Sequence, residues 1–222
     1  MKLVIKKHAS RGVNQRKIQA IREGPLWHIV RSFANGEMRL LLEEIKDRKM
    51  DDALRTLLMN YLIVRIVTIF EVFMLNLAVR YIQQNPQVAT EVLDKPKIDD
   101  TIGQQLASTY SFMDKENVNM IFSGFIGKHF FREIRKRSVE YASDYCYEFE
   151  HIRFASPLHK NWEKFERIIE LRHGIIHQNK LVVHYQWKYY RDMIESVLDF
   201  MMCATSVVKL NYELLAGEEP TE

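Results

Sequence analysis

An arginine and two histidines stand together late in this chain, in Arg172-His173-Gly-Ile-Ile-His177. A guanidinium is permanently charged and grips phosphate oxygens through a planar fork. An imidazole titrates near neutrality, so it can take or return a proton. A permanent cation and a titratable imidazole placed side by side are unusual for a stretch whose only job is packing. Gln178 and Asn179 follow at once as neutral hydrogen-bonding side chains. Arg22/His28, Arg153/His159 and Arg167/His173 have similar spacing. The first two pairs straddle Pro25 and Pro157, and the third lies on different sides of one helix, so the setting singles out Arg172 and His177.

A helix must carry this pair. Phe165, Ile168, Ile169 and Leu171 recur at helical spacing, which predicts a helix over about Lys160 to Ile176. Five positions on an ideal helix amount to about 500°, leaving Arg172 and His177 roughly 140° apart. Their convergence is expected to require the helix to loosen or end near Gly174, since glycine weakens a helix interior. The plainer alternative is that a terminal Arg and His cap carbonyls and complement the negative end of the helix.

A second helix is predicted from a cap at Asp51 or Asp52 to about Gln84, before Asn85-Pro86. It is the longest and most apolar in the chain. Tyr61 to Val79 has the length and apolarity of a membrane span, but Arg65, Glu71 and Asn76 interrupt it, and charges are costly within a bilayer. The reading is therefore a core helix and no membrane. Arg65, Thr68, Glu71 and Asn76 fall within roughly 140° of one another. That stripe either simply faces solvent or makes a buried salt bridge, or it lines the site, with Glu71 orienting Arg172 or His177.

The remainder also reads as helical. Met1 to Ile5 is a short strand or an unstructured start. Asn14 to Glu23, Trp27 to Arg48 with a break at Asn35-Gly36, Ile102 to Met113, a helix capped by Asp114, Phe130 to Phe149, and Trp187 to about Leu215 are the expected helices. Gln87 to Asp100 and His151 to His159 are expected loops. Gly and Pro are scarce and no sheet is convincing, so the fold class is an all-α helical bundle with a long central apolar helix. Residues 1–24 form a basic N-terminal arm, 25–216 a single helical domain, and 217–222 a disordered acidic tail.

Charge is distributed unevenly along the 222 residues, whose net charge is only +3. Lys2 to Arg22 holds seven Lys/Arg and no acid. Lys128, Arg132, Arg135, Lys136 and Arg137 form a second cluster, with Tyr141, Tyr145 and Tyr147 nearby. Such patches recruit phosphate backbones, and the aromatics can stack bases. The bland alternatives are a solvated face and half-buried packing. Two cysteines, Cys146 and Cys203, point away from a disulfide scaffold and towards a cytoplasmic setting, and Lys2, Lys6 and Lys7 precede no apolar segment of a signal peptide.

An Arg, four to six residues and then a His, late in an all-helical domain, resembles the HEPN superfamily. The likeness rests on Arg172 to His177, the helix before them, and the earlier apolar helix with Phe70-Glu71-Val-Phe73. It covers roughly residues 50 to 215. It implies a metal-independent endoribonuclease of a defence or toxin–antitoxin system, without cofactor. An RNA 2′-hydroxyl would attack the adjacent phosphate, giving a cyclic phosphate and a 5′-hydroxyl. Arg172 and His177 would be catalytic, His173, Glu71, Gln178 and Asn179 supporting, and Arg65 with the second basic cluster RNA-binding. The resemblance also implies a homodimer whose two motifs make one composite cleft, with an antitoxin or regulatory protein as a further partner. Two other readings stand beside it. One is a catalytically inactive module that binds RNA, nucleotide or a protein. The other is a metal-binding bundle, from Glu148-x-x-His151, Glu170-x-x-His173 and the His173/His177 spacing.

Overall fold

The computed structural model describes residues 3–6, 33–46, 50–88, 102–136, 138–142, 152–154, 162–182 and 187–215. In chain order the elements are a strand β1 (Leu3–Lys6), a π-helical turn (Phe33–Met38) leading into α1 (Arg39–Lys46), α2 (Asp52–Gln84), α3 (Ile102–Thr109), α4 (Lys115–Ile126), α5 (Phe130–Arg135), β2 (Ser138–Ala142), β3 (Ile152–Phe154), α6 (Trp162–Gln178) and α7 (Trp187–Leu215). The core is all-α, with α2 packed on both α6 and α7.

Local chemistry explains where these helices begin and end. The Asp51 carboxylate accepts the backbone N–H groups of Ala53 at 2.8 Å and Leu54 at 3.2 Å, satisfying two donors that no helical carbonyl can reach. Asp114 does the same for Glu116 at the start of α4. Gly127, at φ 62°, ends α4 in the left-handed conformation that glycine adopts most readily. The expected break at Asn35-Gly36 is instead the π-helical turn, and α3 stops at Thr109.

Three aromatic rings join the main helices. Phe165 of α6 stacks on Phe200 of α7 at 4.4 Å between centroids, and Phe70 of α2 meets both edge-on at 5.5 and 5.4 Å. Each ring is almost wholly removed from water, and such burial contributes roughly 1.5–3 kcal/mol per side chain. A second tie lies at the other end of α2, where Asn60 bonds to Val182. Phe70 meets residue 165 and Asn60 meets residue 182, so α6 and the segment after it run antiparallel to α2.

α2 is long and apolar enough to cross a membrane by length and composition. Here its buried side chains form part of the shared core, while Leu54, Leu57, Tyr61 and Val72 remain exposed. α7 is the more completely enclosed helix, with every residue from Met193 to Ala204 buried.

The expected helix over Phe130 to Phe149 is corrected. α5 ends at Arg135, and β2 follows as the middle strand of an antiparallel sheet in the order β1-β2-β3. Leu3 pairs with Tyr141 and Lys6 with Ser138 on one side, and Ala142 pairs with Ile152 on the other. This pairing spans most of the chain, so a local helical pattern could not foresee it. It also places Ile152–Phe154 in a strand, inside the expected loop. Residues 14–23, 143–150 and 217–222, which carried other expectations, lie outside the described residues.

Candidate active site

The apolar stripe of α6 runs through Trp162, Phe165 and Ile168. Arg172 is seven residues beyond Phe165, about 20° away on an ideal wheel. It therefore takes the next inward-facing place, where the pattern calls for an apolar side chain. The residue is half-buried, and its Nε is buried without a hydrogen-bond partner. A buried donor left unpaired costs on the order of 1–3 kcal/mol. Other arginines are neutralised: Arg65 by Glu37 at 3.0 Å, Arg55 by Asp52 at 3.1 Å and Arg167 by Glu170 at 3.1 Å. Among the described residues no carboxylate pairs with Arg172.

What Arg172 does meet is an imidazole. Its Nη1 lies 3.5 Å from His177 Nε2. The His177 ring also packs on that of His173, with centroids 4.7 Å apart and planes at 41°. These two histidines are one turn apart on the same face. Both are exposed, as are Gln178 and Asn179. One guanidinium and two imidazoles thus share a single turn that opens to solvent.

The expected loosening of the helix at Gly174 does not occur. α6 runs unbroken through Gly174 to Gln178. Helical side chains lean towards the N-terminus, so the His177 ring lies back over the preceding turn, and the length of Arg172 covers the remaining angle. Closure comes later. Asn179 adopts φ 50°, and the Lys180 N–H bonds to the Gly174 carbonyl at 3.0 Å. Asparagine tolerates that left-handed backbone better than most residues. A backbone amide therefore closes the helix, and among the described residues neither Arg172 nor the histidines cap a carbonyl.

No hydrogen bond or ion pair joins Glu71 to Arg172 or His177 among the described residues. Glu71 is half-buried on α2 beside Phe70, level with Phe165. Arg172 lies about 10 Å further along α6, at 1.5 Å per residue. Arg65 and its neighbours take the alternative role foreseen for the stripe. Arg65 is exposed and paired with Glu37, which also accepts a hydrogen bond from the Tyr61 hydroxyl. That bond, with burial second, raises the Tyr61 phenol above its ordinary range. Thr68 and Asn76 donate to the Val64 and Val72 carbonyls of their own helix.

The second basic cluster is only partly free. Lys128 and Arg132 are exposed. Arg135 lies 4.0 Å over the Trp162 ring, and Lys136 bonds to Glu133 at 2.7 Å. Arg137, Tyr145 and Tyr147 lie outside the described residues, and Tyr141 falls within β2.

No family model matches the chain, and no curated protein or solved structure matches it.

Among the described residues no three His, Cys, Asp or Glu side chains converge to hold a metal ion. The Glu148/His151 unit lies outside them. Sequence reasoning missed Asn60, which is only 4 % exposed on α2. Its signal was available: one carboxamide among Met59, Tyr61, Leu62 and Ile63, on a buried face where a polar group must find partners.

Proposed function

We propose that this protein is a metal-independent endoribonuclease built on a HEPN-like helical bundle. The observation that carries the reading is the 3.5 Å approach of Arg172 to His177, made by a half-buried guanidinium with no carboxylate partner among the described residues. A cation kept at a core-facing position without a counter-ion needs an anion, and RNA supplies one at every linkage.

His177 withdraws the proton from a 2′-hydroxyl, whose oxygen attacks the adjacent phosphorus. The bond to the 5′-oxygen breaks as the new P–O bond forms. Arg172 stabilises charge developing on the non-bridging oxygens. The leaving 5′-oxygen takes a proton, and the products are a 2′,3′-cyclic phosphate and a 5′-hydroxyl. Two proton transfers are required at opposite ends of the reacting phosphate. A homodimer that brings two motifs face to face supplies a His177 for each. The exposed side chains of Ile176 and Leu181 beside the motif favour such a contact. His173, Gln178 and Asn179 complete the edge of the site. Lys128 and Arg132, and the register that sets Lys6 opposite Ser138 just after the second basic cluster, support a phosphate-tracking surface. Such a nuclease fits a cytoplasmic defence or toxin role held in check by an antitoxin or regulatory protein.

The exposed Lys128 and Arg132 also favour a second reading, an RNA-binding module without cleavage. Incubation with mixed RNA in EDTA separates the two. Cleavage that disappears in both Arg172→Ala and His177→Ala supports the nuclease, whereas tight binding without cleavage supports the module.

A further inference from the structure

The last turn of α6 has little to hold it in place. His173 and every residue from Ile176 to Leu181 are exposed. Helix ends of this kind fray, because terminal carbonyls lack partners and no apolar face docks them. Yet His177 must keep its distance from Arg172, one turn nearer the core. The first buried residue after the helix is Val182, at 6 % exposure. Its N–H donates to Asn60 Oδ1 at 3.0 Å, and its carbonyl accepts from Asn60 Nδ2 at 3.2 Å. The second hydrogen of Nδ2 can serve the Thr56 carbonyl, 2.7 Å away. Asn60 thus grips both backbone groups of a residue 122 positions away, as the opposite residue of a neighbouring strand would. From Val182 the chain returns through Leu181 to Lys180, whose N–H holds the Gly174 carbonyl.

We infer that Asn60 is a positioning residue: its carboxamide, clamped on Val182, holds the turn that carries His177 in register with Arg172. This rests on the nuclease reading for its catalytic consequence, but not for the clamp itself. A carboxamide is suited to the task because it both donates and accepts in one plane, which neither an aliphatic side chain nor a carboxylate does.

Hydrogen–deuterium exchange tests the clamp on the full-length protein. In Asn60→Ala, exchange over residues 176–182 is expected to rise roughly tenfold or more, with α7 amides protected as in the parent. RNA cleavage should then fall about tenfold or more in kcat with KM little changed, since phosphate binding by Arg172 survives while the proton-transfer group wanders. Unchanged exchange over 176–182 overturns the clamp. Loosened exchange with undiminished kcat overturns its catalytic role. If the parent cleaves no RNA, the nuclease reading has failed, and the exchange result still decides the clamp. Should Asn60→Ala fail to fold, Val182→Pro removes one of the two bonds from the other side, and the same exchange comparison applies.

Discussion

Arg172 Nη1 stands 3.5 Å from His177 Nε2 across an intact turn of α6, beyond the buried stripe of Trp162, Phe165 and Ile168. The arginine occupies a place suited to leucine or methionine. Its Nε is buried and unpaired. This arrangement works against stability, and that makes it informative about function.

Arg172→Met should therefore raise stability while abolishing cleavage. Replacing an unneutralised, partly buried charge by an apolar side chain of similar length should gain on the order of 1 kcal/mol. Paired denaturation midpoints and RNA cleavage rates check this. A destabilised Arg172→Met would mean that the guanidinium serves the fold.

Gly174 lies inside α6, and a Cβ there would meet only the Lys180 Cβ, at 3.9 Å. Gly174→Ala should stabilise the protein by about 0.5–1 kcal/mol through helix propensity, read as a higher midpoint in urea. Strong destabilisation would show that the turn needs glycine after all.

Glu71 lies beside Phe70, level with Phe165 and about 10 Å along the helix axis from Arg172, and it bonds to neither member of the pair among the described residues. Glu71→Gln should leave cleavage within about twofold of the parent and alter stability by no more than about 0.5 kcal/mol. A large fall in kcat would restore the carboxylate to the site.

Phe200 is the ring shared by Phe70 and Phe165. Phe200→Ala should cost about 3–5 kcal/mol by opening a cavity where α2, α6 and α7 meet. Chemical denaturation measures it, and a loss below about 1 kcal/mol would be inconsistent with the packing described.

Lys115 ties α4 to α6 through Glu166, at 2.9 Å. Burial pushes the Glu166 carboxyl up, but the Lys115 hydrogen bond and charge, with Trp162 and Arg135, outweigh it and hold the carboxyl below its ordinary range. A carboxyl depressed in the folded state contributes stability above its unfolded titration and loses it as pH falls through the folded one. Glu166→Gln should thus flatten part of the decline in stability on acidification, and be most costly near neutral pH. The site is partly exposed, so the effect is small. Identical pH profiles for parent and variant would contradict the link.

Much of this fold is legible from one-dimensional patterns. Asp51, Asp114 and Gly127 mark boundaries because caps act within one turn of the residue concerned. The span of α2 follows from a long apolar run closed by Asn85-Pro86. What the pattern hides is non-local. Ser138–Ala142 becomes a strand only because Leu3–Lys6 pairs with it. The level of Glu71 relative to Arg172 depends on the Phe70–Phe165 contact, which a helical wheel does not contain. Asn60 escaped because its partner is a backbone peptide on the far side of the sequence. The helix past Gly174 is a case where packing and a later closure at Asn179 override a weak local preference.

The central claim is that Arg172 and His177 act on a phosphate through the neighbouring 2′-hydroxyl. Its most direct measurement follows cleavage of an end-labelled RNA in EDTA, beside the same RNA carrying one 2′-deoxy residue at the preferred linkage. The account predicts a 2′,3′-cyclic phosphate product from the first and no cut at the substituted linkage in the second. Cleavage of the deoxy linkage, cleavage that needs added metal, or intact RNA in both would contradict it.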